Sequence, residues 1–212
     1  MPQHKDLTGI ELHEPRGVDV ASIGKVYVAD GAGSGSWSKS TGTYVDIGDV
    51  GGYFSGTTVE LALQEIGLVA NTYGVLSVTA NATAQTPTGG GTYDVWNTGW
   101  SNGALGSGIT QTAANGSLTV TNAGIYQINV DLSFKQGGAT AATWLFALAV
   151  NGAENLTTKQ GFDNSLSHTG NVGISTILSL SAADIITLEV ARTSGTLTAL
   201  VSDATFMVNR LI

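Results

Sequence analysis

An odd-even alternation of apolar and polar side chains constrains this chain more than any other feature. Tyr126, Ile128, Val130, Leu132 and Phe134 are apolar, while Gln127, Asn129, Asp131 and Ser133 between them are polar. Successive side chains on a β-strand point to opposite faces, so this spacing predicts a strand with one buried face. Trp144, Phe146, Leu148 and Val150 repeat the pattern and end at Asn151-Gly152, a hairpin-turn signal. The same period recurs at 76–80, 172–180, 186–190, 197–201 and 206–211, with a shorter run at 118–120 before the turn Asn122-Ala123-Gly124. Residues 87–109 are rich in Gly and Trp and read as a strand plus a long loop. Repeated strands with no helix between them predict an antiparallel β-sandwich or jelly roll over residues 75–212.

What precedes that domain reads differently. Residues 55–67 are the one clear helical stretch, with the helix placed at about 57–66. Thr57 and Glu60 fit a capping box. Val59, Leu63 and Ile66 make an apolar stripe with Ala62 beside it, and Gly67 stands where a helix commonly ends. A helix this short is not stable alone, so its stripe must pack on the β domain or on other copies of the chain. Residues 1–50 show no sustained period. Lys25–Ala29 and Tyr44–Ile47 alternate, with the Gly-rich run Asp30–Trp37 between them, and predict a small hairpin-like element on an extended N-terminal arm. The expected organisation is therefore an arm (1–50), a linker with a short helix (51–74) and the β domain (75–212).

Charge narrows the function classes. Only 11% of residues are charged, and the net charge is −8. A nucleic-acid surface needs clustered Lys and Arg, and the eight present are scattered. No stretch approaches the length of apolar sequence that a membrane helix needs, and the first residues lack the basic and apolar regions of a secretory leader. No Cys is present, which excludes thiolate chemistry and disulfides. The outward positions of the strands carry short polar groups rather than Lys and Glu. That predicts a sheet face covered by neighbouring subunits.

Few residues invite chemistry. His4 and His13, with Glu11 and Glu14, are metal-ligating types, but their spacing matches no metal motif, and polar residues of a docking arm account for them. Asp163, Ser167 and His168 lie in a Ser/Asn/Gly loop without the elbow that a nucleophilic serine needs. Gly31–Gly35 lacks the Gly-Lys-Ser/Thr of a phosphate loop. No catalytic pair is marked, so no enzyme, metal or other cofactor is assigned. Tyr93, Trp96 and Trp100 cluster in a Gly-rich region; packing is the favoured role, and stacking on a host-surface glycan is the alternative.

The order of features in residues 118–212 resembles the trimeric jelly roll of complement-type globular heads and tumour-necrosis-factor ligands. The residues that carry the likeness are Gly124 and Tyr126 at a strand entry, Leu180 to Val190 with the turn before Asp184, and the terminal Phe206-Met207-Val208. The usual Gly before the Asp is Ala183 here. The resemblance implies an inner sheet holding residues 124–134, 184–191 and 204–211. Gln127, Asn129, Asp131, Thr187, Glu189, Thr205, Met207 and Asn209 would then face a threefold axis, joined at the helix by Val59, Leu63 and Ile66. Asp131 and Glu189 on such an axis would suit either a calcium ion or pairing with Arg192 or Arg210.

The N-terminal segments, HKDLTGIELHEPRGVDVASIGKVYVADGAGSGSW and YFSGTTVELALQEIG, are similar to segments of tailed-bacteriophage appendage proteins. That likeness implies a homotrimeric virion protein, a capsid decoration or head fibre. His4, Leu7, Leu12, His13, Pro15, Val26, Tyr27 and Trp37 would attach it to the major capsid protein or another shell protein. The alternative is a tail-fibre tip that binds a host glycan.

Overall fold

The computed structural model describes residues 25–29, 35–39, 46–49, 52, 54–138, 140–164, 169–193 and 197–212. The chain divides into two compact units, residues 1–66 and 67–212. His4, Leu7, Leu12, His13, Pro15 and His168 lie outside the described residues.

In the first unit, β1 (Lys25–Ala29) pairs antiparallel with β2 (Gly35–Lys39), with Tyr27 opposite Trp37. The second strand of the hairpin is therefore 35–39, not the alternating stretch at 44–47. Pairing with the nearer segment closes a shorter loop at a smaller entropic cost. The helix α1 (Val59–Ala70) begins one residue later than the capping box implies. Its cap is Thr58, whose Oγ1 accepts the Leu61 N–H at 3.3 Å. Glu65 reaches back instead, accepting the N–H groups of Ser55 and Gly56. These hydrogen bonds to the ionised form hold its carboxyl below the usual range, the Ser55 hydroxyl contributing most.

The division between the units falls inside α1, which does not stop at Gly67. One glycine inside a helix costs only about 1 kcal/mol. The end comes where Asn71 donates its backbone and side-chain N–H groups to the Gly67 carbonyl.

The second unit is the β-sandwich. After β3 (Tyr73–Val78) come the short strands β4 (Asp94–Val95), β5 (Ser101–Leu105) and β6 (Ile109–Thr112). Then follow β7 (Ser117–Val120), β8 (Gly124–Gly137), β9 (Ala142–Val150), β10 (Ala153–Asn164), β11 (Thr169–Leu180), β12 (Ile185–Arg192) and β13 (Thr198–Arg210). One sheet has the order β10-β9-β12-β7-β6, with β4 also on β12; the other is β11-β8-β13-β3-β5. The pairs β3–β13, β7–β12, β8–β11 and β9–β10 nest one inside the next. A long hairpin of strand pairs rolled into two sheets gives this nesting, which is the jelly roll.

Three details depart from the expected strands. β10 is a full strand where the sequence suggested none. Its register slips between Asn155 and Gln160, which breaks the alternation that would have marked it. Where the sequence suggested two strands within 197–211 there is one, Thr198–Arg210, because the irregularity between Val201 and Asp203 shifts the face in mid-strand. The Gly/Trp-rich region yields three short strands.

The core fills the space between the sheets. Phe134 stands at its centre, with ring centroids 5.0 Å from Trp144, 5.1 Å from Phe146 and 5.7 Å from Phe162. The buried indole of Trp144 donates to Gln136 Oε1 at 2.8 Å, and Gln136 Nε2 donates to the Thr140 carbonyl at 2.7 Å, so neither polar group is stranded. Asn151 and Gly152 both take positive φ, 53° and 74°, as the Asn-Gly turn requires.

Candidate functional site

The alternation that buries one face of each strand presents the other outward. On the five-stranded sheet the register lines those outward residues into rows. Ile177, Gln127, Asn209 and Tyr73 make one row, and Ser175, Asn129, Met207 and Val75 the next. Gly173, Asp131, Thr205 and Ser77 follow, then Asn171, Ser133 and Asp203. Short hydrogen bonds cross the strands: Ser175 Oγ to Asn129 at 2.8 Å and Ser133 Oγ to Asn171 at 3.0 Å. Ile177 is 60% exposed beside them. Where Gly173 offers no side chain, the face sinks into a groove of about 590 Å³ lined by Ser77, Asp131, Ser133, Asn171, Asp203 and Thr205. Asp203 is tied down, accepting the Ala80 N–H at 3.1 Å.

This face brings together Gln127, Asn129, Asp131, Met207 and Asn209, as the sequence suggested. It does not include Glu189. β12 pairs with β9, β7 and β4, so residues 184–191 belong to the other sheet and Thr187 and Glu189 look away from the groove. Asp131 and Glu189 therefore share no axis, and the paired calcium reading has no geometry behind it. Arg210 donates to the carbonyls of Ala123 and Ile212, and Arg192 Nε to that of Pro87. The face also holds residues not singled out from sequence: Tyr73, Val75 and Ser77 from β3, and Asn171, Ser175 and Ile177 from β11. Their alternation was visible, but only strand pairing tells which sheet a strand joins.

Trp96 and Trp100 are core residues, 0% and 8% exposed, so neither ring is available to a sugar. Trp100 Nε1 donates to the Trp96 carbonyl at 2.8 Å, and Trp96 Nε1 to the Thr98 carbonyl at 2.9 Å. The Trp100 indole closes over Gly116, which takes φ +59° and whose missing Cβ would strike the Trp96 carbonyl oxygen. Tyr93 is partly exposed, but its hydroxyl is buried. In α1, Leu63 is 61% and Ile66 50% exposed, while Ala62 is buried.

The outward face of the six-stranded sheet holds a second polar group. Glu189 is buried there, opposite Ala147 on β9 and Val95 on β4. Burial, then the carboxylates of Glu154 and Asp94, push its carboxyl above the usual range. The Tyr93 hydroxyl is pushed up for the same reasons, burial first and then Glu154 and Glu189. Among the described residues no cluster of His, Asp or Glu side chains could hold a metal ion.

No protein-family model matches the chain, and neither does any curated protein. Among solved structures the chain is similar to the Eiger TNF of S. frugiperda, at 12% identity over 66% of this chain and 94% of that one, with a TM-score of 0.41. The jelly roll of this chain rests on its own strand pairing.

Proposed function

We propose that this chain is a non-enzymatic structural module that assembles as a homotrimer through the outward face of its five-stranded sheet. In this reading it decorates a virus capsid or forms a head fibre, with residues 1–50 as the attachment to the major capsid protein or another shell protein. The observation that carries the assembly is the composition of that face. Two adjoining rows hold Ile177, Gln127, Asn209, Tyr73, Ser175, Asn129, Met207 and Val75, with no charged side chain among them, and the next two rows add only the charges of Asp131 and Asp203. Such residues carry no charge to desolvate, and their carboxamides and hydroxyls can offset their own desolvation by pairing across a subunit boundary. The exposed Leu63 and Ile66 of α1 support a second contact between copies, since a twelve-residue helix gains most of its stability from packing. The attachment role rests on the N-terminal resemblance alone. The alternative, a tail-fibre tip for a host glycan, has lost its aromatic platform at Trp96 and Trp100.

Light scattering on the full chain at micromolar concentration is expected to give three times the 21.6 kDa chain mass. Met207→Arg, which adds a charge at the middle of the face, is expected to give a monomer with unchanged far-UV circular dichroism. A monomeric wild type overturns the assembly. For the virion role, imaging of intact particles is expected to show the protein at many symmetry-related shell positions. Density only at the tail favours the glycan-binding alternative, and attachment that survives deletion of residues 1–50 removes the anchor assignment.

A further inference from the structure

Glu189 has an unusual setting for a carboxylate. It is only 4% exposed, and no described residue donates a hydrogen bond to it. The register explains why other acids come near. Glu154 on β10 stands opposite Ala149 on β9, and Ala149 opposite Thr187 on β12. Ala147 and Ala149 are small, so nothing bulky on β9 separates Glu154 from Glu189. From β4, Val95 stands opposite Glu189, and the Tyr93 hydroxyl just ahead of β4 lies near enough to feel the carboxylates of Glu154 and Glu189. The hydroxyls of Tyr93 and Thr187 are buried and have no partner. Among the described residues an ionised Glu189 thus has no protein donor to stabilise it, and the charges acting on it, from Glu154 and Asp94, are both negative.

The cover beside it is weakly built. β4 contributes two ladder residues, and the chain leading to it runs through Gly89, Gly90 and Gly91, with φ +75° and +83° at the last two. Among the described residues few bonds besides the two-residue ladder pin it: Gly91 N–H to the Arg192 carbonyl at 2.9 Å, Trp96 N–H to the Leu188 carbonyl at 2.8 Å, Arg192 Nε to the Pro87 carbonyl, and Gln85 Nε2 to the Val95 carbonyl at 2.8 Å. Asp94 itself accepts the Thr88 N–H. We propose that residues 86–95 are an acid-closed flap at the outward face of β12, shut while Glu189 is protonated and released as Glu189 ionises against Glu154 and Asp94.

The sign follows from linkage. With the flap open, Glu189 meets water and titrates near the ordinary carboxyl range; with it closed, it holds its proton to higher pH. Opening releases a proton and becomes easier as pH rises from the open-state value to the closed-state one. Amide hydrogen exchange by NMR between pH 4.5 and 8, corrected for the intrinsic rate, tests this in the full chain. Protection at Gly91 and Trp96 is expected to fall with rising pH, about tenfold for each unit between the two values. Ile125, whose N–H bonds the Ile212 carbonyl on the other sheet, is expected to stay level. Glu189→Gln is expected to hold Gly91 and Trp96 at high, pH-independent protection. Glu154→Gln, which keeps the buried acid and removes one repelling charge, is expected to shrink the fall. Level protection in the wild type, an unchanged fall in Glu189→Gln, or an equal fall at Ile125 each overturns the flap.

Discussion

Ala183 takes φ +70°, a left-handed conformation that costs an L-residue with a Cβ roughly 1–2 kcal/mol. It holds the turn before β12 by donating its N–H to the Val120 carbonyl at 2.8 Å, while Asp184 bonds the Asn151 side chain at 2.8 Å. The position where the resembling family carries glycine is therefore a position that needs glycine's backbone. Ala183→Gly is expected to raise stability by about 0.5–1 kcal/mol, the relieved strain less the added freedom of the unfolded chain, as read by urea denaturation. This turn was legible from its neighbours, Ser181 to Asp184. The fate of Trp96 and Trp100 was not. Whether an aromatic in a Gly-rich stretch is buried depends on what packs over it, and here that includes Gly116, beyond two intervening strands in the chain.

Among the elements, β8, β9 and β12 were readable because large apolar residues recur at every second position, although on β9 and β12 burial extends to the positions between. β10 and β13 were obscured wherever the register slips, since an odd number of extra residues, three on β10 and one on β13, exchanges the faces. α1 was recognised by its stripe but misplaced at both ends, because its caps are side chains, Thr58 and Asn71, rather than the expected Thr57 and Gly67. The edge strand β5 pairs with β3 at three positions and is also held by a side chain. Gln111 Nε2 donates to the carbonyls of Val75 at 2.8 Å and Ala104 at 2.9 Å, tying β5 to β3 where their register is irregular. Gln111→Ala is expected to cost about 0.5–1.5 kcal/mol, as loss of a partly buried hydrogen bond does, and to speed amide exchange across residues 101–105 well beyond that of β8.

At the scale of the molecule, the sandwich of residues 67–212 carries its own core and its own closed set of strand pairs. Expressed alone, that piece is expected to keep the near-UV circular dichroism of its buried tryptophans and to melt cooperatively; a flat near-UV spectrum would show that residues 1–66 are needed for the fold. Fold class was legible because alternation reports burial directly, whereas sheet membership was not. The grouping of residues 184–191 with 124–134 failed because neighbours in a rolled sheet are set by chain path, not by side-chain pattern. That path has a consequence for synthesis. β13 lies between β8 and β3, so the five-stranded sheet has no middle until residues 198–210 have left the ribosome. Until then β3 and β8 wait with unpaired edges, and pairing across so long a sequence separation is slow. Chaperone protection of nascent chains therefore matters most in the interval just before the final strand emerges.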